Sequence, residues 1–421
     1  MNLAIIAPHF PPSSLPPSQR VRLLVKNLKS LDVTTTIFTT NSKFREESID
    51  DWMLELAGDD YNLIEVKSFN PVKTRKLGIG DLGLRMLPFL LPKLLAHSLT
   101  KKPDFLLYLV PPWYILLIAP FVKFLSGVPY AIDFIDPWVA GGEISKKASF
   151  KKKTSQWIAR NLEGFVTKNA SIIYAVSEGI NQQLVERHPT LKRKEMYAIP
   201  YGAEQSDFFN QSFTLTESDT LTIRYIGAVW EDAYLTLDSL FTAISEIKTS
   251  FKCEFYGTSY AGEGLAKPQL DKWINKLSLI DRLIEFPDRV TYKKAVELNM
   301  KSDILLLFGG MQPYYAASKL FGLIVSEKPF FAFLHRDSYP AKFLTSMNYK
   351  YLVTYSETEG DLPVNQKDKV KDVLSALMAE FVTFEPLNIN DSRILEHTAL
   401  GMTKAFVKPM FQKLKNEKIP R

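Results

Sequence analysis

Short apolar runs alternate along the chain with stretches in which apolar residues return every three or four positions. The runs lie at residues 3–7, 35–38, 105–110, 130–134 and 172–176, then at 221–226, 251–256, 304–308, 330–334 and 351–353. Runs this short and this apolar predict strands buried on both faces of a parallel sheet. Polar residues take alternate positions in 221–226 and 251–256, which predicts strands nearer a sheet edge. The stretches 19–31, 151–168, 178–187 and 235–247 carry the helical period. Strand–helix–strand alternation predicts an α/β protein with doubly wound sheets.

There are two such series. Ile199-Pro200-Tyr201-Gly202 closes the first, residues 210–220 are polar and rich in Ser and Thr, and strand-like sequence resumes at Leu221. The pattern predicts a Rossmann-like domain over 1–205 and a second over 206–390. A last helix over 391–421, amphipathic and basic at its end, is expected to pack back on the first domain. Doubly wound sheets place ligands at the C-terminal ends of their strands. Two such domains facing each other across a cleft therefore put the expected site in that cleft. Residues 105–122 form 18 positions without a charge, near the length of a membrane span. Pro111, Pro112 and Pro120 interrupt them, which predicts a strand, a Pro-Pro turn and an apolar helix. The apolar start, with no basic region before it, reads as a buried first strand rather than a leader.

Composition narrows the chemistry. Hydrophobic residues make up 46% and charged residues 23% of 421, which excludes disorder as the main state. With Cys253 the only cysteine, an intramolecular disulfide and a Cys-rich zinc site are excluded, and a reducing, cytoplasmic location is expected. The first strand is followed by His9-Phe10-Pro11-Pro12-Ser13-Ser14 rather than by a Gly-x-Gly-x-x-Gly turn, which argues against a nicotinamide dinucleotide. Walker A, His-Glu-x-x-His and Asp-x-Asp patterns are missing, and the five histidines form no ligand-spaced cluster. No metal and no bound cofactor are expected.

Charge adds an asymmetry. Residues 1–200 hold 26 Lys+Arg against 18 Asp+Glu, whereas 201–421 hold 26 against 28. The first half is the one expected to face an anionic partner. Within it, Lys73, Arg75, Lys76, Arg85, Lys93, Lys101 and Lys102 alternate with Leu82, Leu84, Met86, Leu87, Phe89, Leu90, Leu91, Leu94 and Leu95. A basic rim beside an apolar face suits peripheral attachment to an anionic membrane through Lys73 to Lys102, and equally a core helix with a solvated edge. Lys146, Lys147 and Lys151, Lys152, Lys153 add a second basic cluster. Aromatic residues do not interleave with these lysines as stacking on nucleic acid requires, so nucleic acid is not an expected partner.

Several segments in chain order resemble glycosyltransferases of the GT-B fold, in particular the family-4-like group. Ala317-Ser318-Lys319-Leu320-Phe321-Gly322 through Lys328-Pro329-Phe330 resembles their donor-site segment. Tyr225-Ile226-Gly227, Phe255-Tyr256-Gly257, Asp288-Arg289-Val290-Thr291-Tyr292 and Ser302-Asp303-Ile304 resemble the strands and turns around it. In the first half, Phe10-Pro11-Pro12 with Arg20, Lys102-Pro103-Asp104 with Pro111-Pro112, and Asp133-Phe134-Ile135-Asp136-Pro137-Trp138 resemble the acceptor domain. Ile199-Pro200-Tyr201-Gly202 with Asp207-Phe208 resembles the link between domains.

The resemblance implies a nucleotide-sugar donor in the second domain. Gly227, Tyr256, Gly257, Arg289, Val290, Tyr292, Ser318, Lys319 and Leu320 would bind it, with Lys319 neutralising the diphosphate beside a helix start. In the first domain Asp133 and Asp136 straddle the end of a strand, where a carboxylate can orient or deprotonate an acceptor hydroxyl. Asp136 equally suits a turn cap before Pro137. His9, Arg20 and Trp138 would contact the acceptor, and His9 also reads as a structural histidine. The chain departs from the pattern in three places. Gly322 stands where an acidic residue usually accepts ribose hydroxyls, Ile135 stands where Arg is usual, and residues 228–232 lack a cation. The function expected is transfer of a sugar from a nucleotide donor to a glycan or lipid-linked acceptor, in cell-surface polysaccharide or glycolipid synthesis. The alternatives are a non-catalytic GT-B-like scaffold for a sugar, nucleotide or protein partner, and a nucleotide-sugar epimerase.

Overall fold

The computed structural model describes residues 1–47, 49–139, 150–209, 220–261, 264–314 and 318–417, with backbone alone for 150–156 and 417. Most of the polar stretch at 210–220, together with Lys146 and Lys147, lies outside the described residues.

The apolar runs form two all-parallel sheets. The first contains β1 (Asn2–Ile6), β2 (Thr34–Thr40), β3 (Asn62–Val66), β4 (Phe105–Val110), β5 (Tyr130–Phe134), β6 (Ile172–Ala175) and β7 (Glu195–Ala198), in the order β3-β2-β1-β4-β5-β6-β7. The second contains β8 (Leu221–Ile226), β9 (Phe251–Tyr256), β10 (Leu283–Phe286), β11 (Ile304–Phe308), β12 (Phe330–His335) and β13 (Leu352–Tyr355), in the order β10-β9-β8-β11-β12-β13. Each sheet reverses its winding once, between β1 and β4 and between β8 and β11. Such a reversal opens a crevice at the strand ends, because the flanking connections leave in opposite directions.

Burial explains the strand assignment. Every residue of β4, β5, β11 and β12 is buried, and full burial of one large apolar side chain is worth about 1.5–3 kcal/mol. The strands that the apolar pattern does not show, β3, β7 and β10, are edge strands with exposed or half-exposed positions. One expectation is corrected. β8 lies in the middle of its sheet, next to the reversal, although its burial alternates. Its polar Arg224 is held there by ion pairing to Glu254 on β9, with Nε and Oε2 2.7 Å apart.

The uncharged stretch resolves into β4, a short 3-10 turn at Trp113–Ile118 and a helix at Ala119–Ser126. Among the described residues no helix is long and apolar enough to cross a membrane. The chain divides into two compact units, Met1–Pro200 with the C-terminal segment from Ala399, and Tyr201–Thr398. The final helical region is broken into Ser392–Leu395 and Ala399–Glu417. The second of these belongs to the core of the first unit, with Met402, Phe406 and Met410 at most 1% exposed. The Tyr174 hydroxyl donates to the Phe406 carbonyl at 2.7 Å, and Thr403 donates to the Leu24 carbonyl at 3.4 Å.

Candidate functional site

The reversal of the second sheet brings together the loops after β8 and β11. Gly227 ends β8 with φ of 152°. The space where a Cβ would stand on it is filled by Lys319, whose Nζ would lie 1.8 Å from that atom. Only glycine permits this approach. Lys319 comes from the connection after β11 and directly precedes the helix Leu320–Val325. Its ammonium donates to the Tyr225 hydroxyl at 3.1 Å and lies 4.3 Å from the centre of that ring. The Tyr225 hydroxyl in turn donates to the Ala228 carbonyl at 2.9 Å. Burial alone brings the Lys319 amine down to about 7, and no described carboxylate restores it. The six-residue helix is too short for its dipole to dominate, so the cation carries the electrostatics here.

Other elements converge on the same strand ends. At Gly310, after β11, a Cβ would collide with Asp232 Oδ2 at 2.1 Å and approach Trp230 Nε1 at 3.1 Å. The loop after β8 thus rests on bare backbone, and Trp230 stacks on Phe308 with ring centres 5.8 Å apart. Gly257, after β9, has φ of 70° and faces the backbone of Asp288, Arg289 and Val290 at 3.7–3.9 Å from its Cβ position. The structure therefore brings Gly227 to Lys319 and Gly257 to Arg289 and Val290. Arg289 and Ser318 are exposed. Leu320 is buried in the core, which leaves only its backbone to offer. Tyr256 stacks on Phe286 at 4.4 Å and donates to Glu254 at 3.1 Å. Tyr292 donates to the fully buried Asp207 at 2.8 Å, so its hydroxyl is engaged within the unit.

The first unit treats its charges differently. Arg20 and Asp133 are both fully buried and bind each other, Nε to Oδ2 at 2.5 Å and Nη2 to Oδ1 at 2.9 Å. Arg20 also donates to the Ile199 carbonyl at 2.8 Å and sits 5.0 Å from the Phe406 ring. This geometry ties helix Pro16–Leu28, β5 and the C-terminal helix together, a structural arrangement for two residues expected at the acceptor. His9 pairs with Glu47, Nδ1 to Oε1 at 2.9 Å. Burial raises the Glu47 carboxyl, but the hydrogen bond and charge of His9, a backbone donor and Ser13 outweigh it and bring the group down to about 2. Asp136 is open to solvent, yet the surrounding protein pushes its carboxyl upward by desolvation alone. Trp113 donates to the Asp136 carbonyl at 3.2 Å. Trp138 is largely buried, with Tyr114 edge-on at 5.5 Å.

Sequence reasoning missed Tyr225, Asp232 and Glu47. Tyr225 reads as a buried strand aromatic, and Glu47 sits in a polar loop with no periodicity. The basic segment is also rearranged. Leu82, Met86, Leu90 and Leu94 are core residues. Arg75 and Arg85 both pair with Glu46 at 2.8 Å, and Lys93 donates to the Glu65 carbonyl. The apolar residues exposed beside Lys73 and Lys76 are Val72, Leu77 and Ile79. Among the described residues no group of three His, Cys, Asp or Glu converges at metal-binding spacing.

No family model matches the chain, and no curated protein matches its sequence. Solved structures do. A glycosyltransferase from Rickettsia africae is 15% identical, with 99% of each chain covered and a TM-score of 0.61. HepE from Anabaena in complex with UDP-glucose is 12% identical, with 99% of this chain and 100% of that one covered and a TM-score of 0.63. The N-terminal domain of trehalose-6-phosphate phosphatase from Candida albicans is 11% identical, with 98% and 96% covered and a TM-score of 0.62. Likeness at such identities establishes architecture: the chain has the two-domain α/β fold of GT-B glycosyltransferases. That fold also occurs in a protein named for a phosphatase, so the reaction has to be read from the site.

Proposed function

We propose that the protein is a glycosyltransferase. It moves a sugar from a nucleotide-activated donor to a glycan or lipid-linked acceptor, without a metal or bound cofactor. The observation that carries this is the Lys319 ammonium held over Gly227 at the reversal of the second sheet, with no described carboxylate beside it. Desolvation of a half-buried cation without a described counterion is costly, and an anionic diphosphate beside bare glycine backbone offsets that cost. HepE, of the same fold, was solved with UDP-glucose, which supports a nucleotide sugar as the anion. As the sugar leaves, charge grows on the diphosphate and Lys319 opposes it. In the first unit Asp136, open to solvent, with its carboxyl held upward by the protein around it and without a described hydrogen-bond donor on its carboxylate, orients or deprotonates the acceptor hydroxyl. A cytoplasmic location is proposed, with attachment to an anionic membrane through the segment Lys73 to Lys102, now centred on Val72, Lys73, Lys76, Leu77 and Ile79. Cell-surface polysaccharide or glycolipid synthesis is the setting that such an acceptor suits.

The test is thermal unfolding against a panel of nucleoside diphosphates and sugar nucleotides, followed by an assay for diphosphate release. A ligand at about 100 times its Kd adds about 2.7 kcal/mol. Stabilisation by a sugar nucleotide with release of its diphosphate is the expected result. One observation favours the scaffold alternative: Gly322 supplies no carboxylate for ribose, and its Cβ position faces Phe208 at 3.6 Å. Binding without any turnover across the panel would establish that alternative.

A further inference from the structure

The helix that follows Lys319 is poorly equipped to hold its own place. Leu320–Val325 has six residues, and Gly322 is one of them. So short a helix is unstable alone, and an internal glycine weakens it further. Yet Lys319 has little room for error. Its Nζ would stand 1.8 Å from a Cβ on Gly227, and it donates to the Tyr225 hydroxyl at 3.1 Å. The height of the lysine therefore has to be fixed from outside the helix.

Phe321, two positions on, is the side chain through which this is done. It is buried and lies against the His397 ring, with centres 4.1 Å apart and planes 24° from parallel. Phe343 meets Phe321 edge-on at 4.9 Å and His397 at 5.5 Å. Apolar rings alone would fill such a space, but the half-buried imidazole adds a direction. Burial brings His397 down to about 4, so the ring is neutral and its Nε2 accepts. Burial, and after it the charge of Glu396, raise Tyr339, whose hydroxyl keeps its proton and donates to that Nε2 at 2.5 Å. This bond fixes the plane of the ring on which Phe321 rests. The His397 backbone is pinned as well. Its N–H donates to the Ile394 carbonyl at 2.8 Å, and its carbonyl accepts from the Ala203 N–H at 2.9 Å. Thr398, the last residue of the second unit, bridges to the same Ala203, near that unit's start.

We propose that His397 is a positioning residue: stacked on Phe321 with its plane set by Tyr339, it holds the helix Leu320–Val325 and so the height of the Lys319 ammonium over Gly227. The imidazole touches no substrate and acts through Phe321. Its effect on turnover rests on the proposed reaction, whereas its effect on the lysine does not. A slack helix lets the amine reach water, and a solvated amine returns towards its ordinary value of 10.5.

Trace acetylation with acetic anhydride across a pH series, read at the Lys319 peptide by mass spectrometry, measures that amine in the full chain without any ligand. The native amine should titrate near 7. His397→Ala should move it clearly upward. His397→Phe keeps the stacking and Tyr339→Phe keeps every ring, so each should move it less and in the same direction. In the diphosphate-release assay His397→Ala should lower turnover by roughly 2–30-fold with nucleoside monophosphate affinity unchanged. A lower unfolding midpoint with the Lys319 titration unmoved would make His397 a packing residue and overturn the proposal, as would a native amine near 10.5. Should His397→Ala fail to fold, Tyr339→Phe carries the test, and an unmoved amine there overturns it. A moved amine in a chain that turns over no sugar nucleotide would leave the positioning role standing and sink the glycosyltransferase reading instead.

Discussion

The two sheets wind alike, and each reverses once, yet they handle cations near their strand ends in opposite ways. In the first unit Arg20 is closed on Asp133 with neither side chain exposed, and His9 is paired with Glu47. In the second, Lys319 leans over bare glycine and, among the described residues, has the Tyr225 phenol but no carboxylate beside it. Shared architecture therefore does not imply shared electrostatics. A salt bridge closed on itself fixes the fold, whereas an ammonium with no described carboxylate beside it, at a strand-end crevice, is where the proposed anionic donor would sit.

The comparison breaks most visibly at the closed pair. Removing one partner of a fully buried ion pair strands the other charge and costs about 3–5 kcal/mol. Arg20→Ala and Asp133→Asn should each lower the denaturation midpoint of the first unit sharply. Replacing both by leucine should cost much less, since no charge is left behind. If Asp133→Asn left stability intact while abolishing turnover, Asp133 would return to the list of catalytic carboxylates.

Lys319→Ala should do the reverse. The chain should keep its stability or gain a little, because a half-buried cation without a described counterion is removed. Turnover should fall by about 30–150-fold, the rate equivalent of about 2–3 kcal/mol for a lost charge-assisted contact. Nucleoside monophosphate affinity should change less than the rate, as the charge that Lys319 meets grows in the transition state. Full activity with unchanged diphosphate affinity in this variant would sink the donor assignment.

The pH dependence sharpens the same contrast, and its sign is fixed by the depressed amine. Lys319 titrates near 7 in the folded chain, below the 10.5 of an ordinary lysine. Between those values the unfolded chain binds the extra proton, so this group makes stability rise with pH across that window. Ligand affinity should move the other way. A bound diphosphate raises the amine's pKa, so its contribution is complete below about pH 7 and weakens as pH climbs above it, by up to ~10-fold per unit. Titration calorimetry in buffers of different ionisation enthalpy should register proton uptake on binding at pH 8. No uptake there would mean that the ammonium is already charged without ligand.

Interior strands were legible in the sequence because burial on both faces leaves an unbroken apolar run. β4, β5 and β11 have the residue limits that such runs predict; β8 and β9 have theirs too, but with polar residues interrupting the run, which is why they read as nearer an edge. β3, β7 and β10 were not, since an edge strand needs no apolar outer face. The second unit's candidate site was partly legible for a related reason. Glycines that end strands, and a lysine after one, leave marks in a linear pattern. The pairing of Arg20 with Asp133 spans 113 positions and leaves none, and the Glu47 partner of His9 lies in a loop without a motif. Nor could periodicity tell core leucines of helix Leu82–Thr100 from a lipid-facing set, because both repeat at helical spacing.

The smallest expected effect separates packing from ligand as the reason for a glycine. Gly322 lies inside the short helix Leu320–Val325, where glycine costs roughly 0.5–1 kcal/mol relative to alanine. A Cβ there would meet the Phe208 ring at 3.6 Å, an ordinary contact, and its φ is not in the left-handed region. Neither strain nor crowding requires glycine, so Gly322→Ala should raise the stability of the second unit by about that amount in urea unfolding. If Gly322 merely lacks the carboxylate of related sites, nucleoside affinity should stay as it is. A stability gain accompanied by weaker nucleoside binding would instead show that a ligand approaches the helix backbone at this position. A stability loss would show that Phe208 cannot yield and that the glycine serves the core.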